Sequence, residues 1–237
     1  MQICVLCLAR PAGDICAPGA GLVVDAMTES GNISTMASEM QANMDETDGG
    51  GEKTRPPLSV LRYEMPSELY AAVPQVGGLT QHRPREGEET LNYILRLRGS
   101  TTPEEAVTFM AFALAPKQAV WWAYECLRLL GNDLSAADRD LMSLVAMWTT
   151  HPDAENRYRT MRAALYAPVR TPQVFLGLAV GWSGGPIAPN DPAPVPVHRA
   201  PRAINSAILS CLAKVDLSHR SIWLARFIDQ SPAVFRY

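Results

Sequence analysis

After about residue 57, hydrophobic positions recur along the chain with the period of an α-helix. In one segment after another, apolar residues lie three or four positions apart, and the alternation typical of a β-strand is never sustained. We therefore predict an all-α fold with a single domain over residues 58–237. That domain would be a compact bundle or helix-pair array of about seven to eight helices with one long proline-rich loop. No fixed-period self-similarity supports a named helical repeat.

Start and stop signals place several of these helices. A segment with acidic residues before it and arginines at its end is predicted to be a helix with Leu91, Ile94 and Leu95 on one face. Thr102 is followed by a proline and, three residues after Thr102, by Glu105, which predicts a helix start with Thr102 as N-cap in a capping box. Residues 119–130 are apolar nearly all round, which predicts a helix central to the core.

The leading segment, residues 1–57, has a different composition. Residues 27–57 carry almost no large apolar side chains, which predicts disorder. An alternative is that translation starts at an internal methionine, because five of the ten methionines lie in this leading segment. Cys4, Cys7 and Cys16 are too few to close a zinc site, which needs four ligands. We therefore expect no metal and no other cofactor.

Charge and hydropathy exclude several classes of protein. The net charge of the whole chain is −3. The leading segment, with three basic against eight acidic side chains, has a net charge of −5. The total of −3 argues against a nucleic-acid partner. The remaining eighteen basic and sixteen acidic side chains leave the body at +2, which weakens that argument. No window approaches the roughly 18 apolar residues of a membrane helix, so we expect no membrane partner. Cys126 and Cys211 fall within apolar helical stripes, which favours free thiols and a cytoplasmic location.

The segment 181–185, Gly-Trp-Ser-Gly-Gly, carries the sequence's one candidate chemistry because it matches the G-x-S-x-G pattern of serine hydrolases. In the enzymatic interpretation Ser183 is the nucleophile, and Asp191 and His198 follow in the expected order of a catalytic triad. A nucleophile elbow requires a strand before the serine and a helix directly after it. Here the preceding residues fit a helical stripe, and six prolines follow between residues 186 and 201. A second pair in the same order, Asp216 and His219, meets the same objection.

The structural interpretation of this loop is simpler. Trp182 would end a helix by packing into the core, and Gly184 or Gly185 would adopt the left-handed conformation that terminates helices. The proline-rich stretch would then run extended, either bracing the helices or forming a ledge for a protein partner. The candidate binding residues are Trp182, Ser183, Gly184, Gly185, Pro192, Pro194 and Pro196.

Other polar clusters carry weaker signals. His82 lies in a polar loop without a matched partner for acid–base work. Arg157, Arg159 and Arg162 form a modest basic patch, which we interpret as a solvated helix face, with an acidic protein partner as the alternative.

The loop also carries a resemblance. Trp182-Ser183-Gly184-Gly185, followed by the proline run and preceded by an Ala-Val-Trp-Trp helix at 119–122, resembles an uncharacterised bacterial family of small helical proteins. The resemblance covers about residues 60–230, and the leading segment has no counterpart. Pro186 stands where a serine or similar small residue is expected. Some members are associated with type VI secretion gene clusters, so the resemblance implies a link to secretion, but it supplies no catalytic residues.

We therefore expect a non-enzymatic cytoplasmic protein that binds another protein, as an adaptor or accessory factor of a type VI secretion machine. The alternative is a serine hydrolase that uses Ser183. A third possibility is that the domain recognises only itself, as a homodimer.

Overall fold

The computed structural model describes residues 60–131, 134–187 and 193–230, and in these ranges the regular elements are all helical. The predicted all-α fold is confirmed. The described part of the chain holds nine α-helices, against the seven or eight predicted, and a short 3-10 turn at Pro74–Val76. The helices are α1 (Pro66–Ala72), α2 (Thr90–Arg98), α3 (Glu104–Ala113), α4 (Pro116–Leu130), α5 (Ala136–Thr150), α6 (Ala154–Leu165), α7 (Pro172–Gly181), α8 (Arg199–Ala213) and α9 (Leu217–Asp229).

Side-chain caps start four of the helices, and three of these caps share one geometry. Ser135 before α5, Asp153 before α6 and Thr171 before α7 each accept a hydrogen bond from the backbone N–H three residues later. Such caps satisfy amide groups that have no partner within the helix. Their residue types and positions are visible in the sequence, which is why these starts were predictable.

The predicted start of α3 is wrong in detail. The helix begins at Glu104, one residue after Pro103, and Thr102 does not cap it with its hydroxyl. Instead the Thr102 Oγ1 donates to the Glu105 carboxylate at 2.6 Å. Glu105 is the better acceptor because it is ionised, so it draws the hydroxyl away from the backbone.

Helix α7 occupies the centre of the described helices. It packs against α4, α5, α6 and α8, and nearly all of its residues are buried. Gly177 and Gly181 allow this approach: a Cβ at Gly181 would lie 2.6 Å from the Met161 Cβ on α6. Helix α4, predicted to be central, buries Trp122 completely but exposes one face, so α7 and α3 are the more enclosed helices.

The apolar face predicted for α2 is only partly right, because Ile94 is buried as predicted but Leu91 and Leu95 are not. Leu91 and Leu95 are 48% and 54% exposed, whereas Tyr93, Ile94 and Leu97 are buried. Tyr93 decides the orientation, because its ring packs edge-on against Phe109 and its hydroxyl donates to the His82 carbonyl at 3.0 Å.

The chain segment before α1 is held against the end of α3. Leu61 and Leu114 form an antiparallel β-bridge, and the N–H of Arg62 donates to the Ala113 carbonyl at 2.8 Å. This contact places Arg62 beside the first turn of α4. The predicted disordered segment 1–57, with its cysteines and its alternative translation starts, lies outside the described residues. Among the helices described, none is long and apolar enough to cross a membrane.

Candidate binding groove

An open groove of about 530 Å³ lies where α7 ends and the proline-rich loop returns past the start of α4. Its walls are mainly apolar, and Arg62 contributes the charged side chain of the lining. The lining consists of residues 182–186, Pro194, Val195, Val197, Pro116 and Arg62. Most of the loop residues singled out from the sequence therefore meet around one cavity, which we call the Trp182 groove.

Trp182 forms the groove wall at the end of α7. Its backbone N–H closes the last turn of α7 by donating to the Leu178 carbonyl at 3.0 Å. The prediction that it packs into the core is only partly right. The indole is half-buried and contacts the core, yet it also lines the groove and carries the Arg199 guanidinium 5.7 Å from its ring centre.

The glycines after Trp182 turn the chain away from the helix. Gly185 has a φ of +65°, so it is the residue in the left-handed conformation that favours glycine. Of the two candidates, Gly184 and Gly185, the prediction is therefore right for Gly185, which follows the helix cap Trp182 by three residues. Gly184 is exposed, and a Cβ built on it would meet nothing within 4 Å. Gly184 lines the groove, and a side chain added there would meet open space.

Arg157, on α6, holds this turn through two hydrogen bonds. Its Nη1 donates to the Gly181 carbonyl at 2.8 Å and to the Pro186 carbonyl at 3.0 Å. Its guanidinium also stacks 4.1 Å from the ring centre of Tyr158. Arg157 is only 6% exposed, so its assignment to a solvated face is wrong. Arginine suits this position because its planar fork donates several hydrogen bonds.

The returning arm of the loop forms the opposite wall. Pro186 and Pro194 face each other in an antiparallel β-bridge, and Val197, 59% exposed, extends the apolar surface. Pro196 is exposed outside the lining, and its carbonyl accepts the Arg199 N–H at the start of α8. Pro201, predicted to lie in non-helical chain, is in the first turn of α8, where a proline is tolerated.

The residues of the enzymatic alternative are not brought into a triad by the described contacts. The Ser183 hydroxyl donates to the Ala179 carbonyl at 2.6 Å, a bond that a helix-end serine commonly makes. His198 precedes α8 and forms no hydrogen bond to Ser183 in the described structure. Asp191, like Pro192, lies outside the described residues. Ser183 follows a helix, and no helix begins directly after it, whereas a nucleophile elbow has a strand before the serine and a helix after it.

Asp216 and His219, the second candidate pair, lie at the start of α9. Asp216 caps α9 by accepting the N–H of Ser218 at 3.3 Å, and the Ser218 hydroxyl contacts His219 Nδ1 at 3.1 Å. Both residues lie outside the groove lining.

Arg62 had no signal in the sequence and is the residue that most changes the chemistry of the groove. Its Nε donates to the Leu114 carbonyl at 3.2 Å, which holds the side chain against the end of α3. Burial lowers the pKa of its guanidinium, because taking the charge out of water disfavours it. The groove therefore combines apolar walls with a partly buried positive charge, an arrangement suited to binding.

Sequence reasoning placed Glu105 in a capping box and missed that its carboxylate is buried in the first turn of α3. Glu105 accepts the N–H groups of Gln81 and His82, both at 3.0 Å, and its Oε2 lies 3.2 Å from His82 Nδ1. Burial by itself raises the pKa of Glu105, but the hydrogen bonds from Thr102, His82 and Gln81 outweigh it and lower the pKa. His82 thus has a partner after all, and the cluster ties the 81–82 loop to α3.

The remaining candidate chemistry concerns metal ligands and thiols. Within the described ranges, no group of His, Cys, Asp and Glu side chains could hold a metal ion. Cys126 and Cys211 are free and buried, and burial raises the pKa of both thiols. Their predicted role as small apolar core residues agrees with this placement.

Comparison with known proteins identifies the family. A model described as "Family of unknown function (DUF6931)" matches residues 93–235, which include α3 to α9 and most of the groove. Arg62 precedes the matched region. No curated protein and no solved structure matches the chain. The match spans more than half of the 237 residues and agrees with the uncharacterised family suspected from the sequence, so the chain belongs to DUF6931, a family of unknown function.

Proposed function

We propose that this protein is a non-catalytic adaptor that binds an extended segment of another protein in the Trp182 groove. The observation that carries the proposal is the open, mainly apolar groove of about 530 Å³ formed by Trp182, prolines and exposed Val197. Exposed apolar surface in a concave site is typical of ligand or partner recognition.

The construction of the walls favours one mode of recognition. Pro186 and Pro194 have no N–H to offer, so this edge is poorly suited to pairing with an added β-strand. Trp182 beside prolines instead provides flat surfaces on which side chains can stack, as in proteins that recognise polyproline segments. We therefore assign an extended or polyproline-like segment as the occupant.

The turn between Gly181 and Pro186 is held by Arg157, and a site held in shape favours binding. Arg157 ties the carbonyls at both ends of the Gly-rich turn, and the prolines restrict the backbone further. A groove fixed in advance loses little conformational entropy when a partner binds. Ordering of the partner's segment remains the main entropic cost.

A cytoplasmic location and a role in type VI secretion are part of the proposal. The secretion link is supported by the family resemblance in the Trp-Ser-Gly-Gly loop. We expect the tagged native protein to co-purify with a component encoded in a type VI secretion cluster. A variant with a blocked groove, Gly184→Tyr, should lose that component. Recovery of such a component by wild type and blocked variant alike would contradict a role for the groove.

Peptide selection tests the groove directly. A phage-displayed library of random peptides is selected on the full chain, and the enriched peptides are measured by fluorescence anisotropy. Gly184→Tyr adds a ring at a residue that lines the groove, and its Cβ causes no clash because nothing lies within 4 Å of it. Gly78→Tyr is the matched control, because Gly78 is exposed, lies outside the lining and meets its nearest atom at 3.6 Å.

We expect enriched peptides whose affinity falls at least about tenfold with Gly184→Tyr, since the new ring occupies the wall that they contact, and stays unchanged with Gly78→Tyr. Peptides insensitive to Gly184→Tyr, or no enrichment, would rule out the groove as a peptide site. Light scattering of the same variants tests self-association: a dimer that Gly184→Tyr converts to monomer would make a second copy the occupant and overturn the proposal.

A further inference from the structure

We infer that the segment bound in the Trp182 groove carries an Asp or Glu side chain whose carboxylate pairs with Arg62. This inference rests on the proposed function and adds the chemical character of the partner. It starts from the position of Arg62, which lines the groove beside the first turn of α4.

The attachment of Arg62 leaves one edge of its guanidinium available. The backbone N–H is used by Ala113 and the Nε by Leu114, so the side chain is fixed at two points. The two terminal nitrogens donate to no residue in the described ranges. Two parallel N–H groups on a fixed guanidinium match the two oxygens of a carboxylate.

The charge of Arg62 lacks a counter-ion within the described structure. None of the lining residues is acidic, and the salt bridges of the described residues do not include Arg62. A partly buried charge without a partner costs free energy that an incoming carboxylate would recover. The lowered pKa of Arg62, caused by burial, is consistent with this strain on the charge.

Two features next to Arg62 also carry positive charge or partial positive charge. Arg199 lies over the Trp182 ring, 5.7 Å from its centre, and adds a second cation beside the groove. Helix α4 begins at Pro116 in the lining, so the positive end of its dipole faces the same region. Together with Arg62 they make the groove complementary to an acidic segment, whereas a basic or neutral segment gains nothing from them.

A double-mutant cycle tests the pairing. The probes are the selected peptides that respond to Gly184→Tyr, each made with its acidic residues intact or replaced in turn by Asn or Gln. Each peptide is titrated against the wild-type chain, Arg62→Gln and Arg159→Gln. Arg159 is an exposed arginine on α6 outside the groove, so it controls for net charge.

We expect one acidic position whose neutralisation weakens binding to wild type about 10- to 100-fold, the range for a charge-assisted hydrogen-bonded pair. The same replacement should change binding to Arg62→Gln less than about twofold, because the partner charge is already gone. Arg159→Gln should behave as wild type. Raising the salt concentration should weaken the intact pair and leave the neutralised peptide unaffected.

Failure of the Arg62 pairing can be distinguished from failure of the groove as a peptide site. Peptides that respond to Gly184→Tyr but show no acidic position, or lose the same affinity on neutralisation with and without Arg62, would overturn the pairing and leave the groove function standing. An absence of groove-dependent peptides would remove both proposals. If Arg62→Gln does not fold by circular dichroism, neutralisation of the peptide acids on wild type and Arg62→Lys still decides: unchanged affinity contradicts the inference.

Discussion

Replacing Arg157 with methionine should destabilise the domain by about 2–4 kcal/mol. The change keeps the length and apolar stem of the side chain but removes the donor that serves the Gly181 and Pro186 carbonyls. A buried acceptor left without a partner costs about 1–3 kcal/mol. The Gly181 bond is buried and should contribute fully, while the part-buried Pro186 carbonyl can regain water and contributes less. Loss of the Tyr158 contact at 4.1 Å adds about 0.5–1 kcal/mol.

Urea denaturation followed by circular dichroism measures this effect. The midpoint should fall while the slope stays that of the wild type, since the extent of unfolding does not change. Arg159→Met is the matched control, because Arg159 lies two residues away on the same helix and is exposed. It should change the free energy of unfolding by less than about 0.5 kcal/mol. A loss below about 1 kcal/mol for Arg157→Met, or equal losses for both variants, would refute the reasoning that Arg157 supports the loop.

Three further predictions address the core, the loop serine and the buried carboxylate. Gly181→Ala should lower the free energy of unfolding by about 1–3 kcal/mol despite alanine's better helix propensity, because its Cβ would overlap Met161. The control Gly184→Ala should be nearly neutral. Urea denaturation that finds both variants neutral would contradict this. A fluorophosphonate probe should leave Ser183 unlabelled, and labelling abolished by Ser183→Ala would restore the hydrolase. Glu105→Gln should lose about 1–3 kcal/mol at neutral pH. That loss should shrink as the pH falls below the ordinary pKa of 4.5, because hydrogen bonds hold the folded pKa lower; a pH-independent difference in denaturation midpoints would count against it.

The helices of the domain were largely visible in the sequence, and the physical reason is that their signals are local. Caps such as Ser135 and Thr171 act on amides three residues away, and the hydrophobic period repeats within each segment. Where a local signal had a competitor, prediction was wrong. Thr102 is a capping residue by type, but the ionised Glu105 takes its hydroxyl once other donors have ordered that carboxylate.

The choice of buried face lies partly beyond local signals. On α2, Leu91 and Leu95 are as apolar as the residues that become buried, yet they remain exposed because Tyr93 meets Tyr70 and Phe109 across the fold. The sequence records how apolar a position is, but not what will lie opposite to it.

By itself, the sequence determined the all-α class, several helix starts and the loop in which the candidate site lies, because composition and local spacing suffice for these. Only the tertiary structure decided what that loop does. It brought Arg62 from more than a hundred residues away to the Trp182 wall, and it buried Arg157 as the support of the turn. Both arginines act through contacts with distant backbone carbonyls, and no pattern near either residue encodes those contacts.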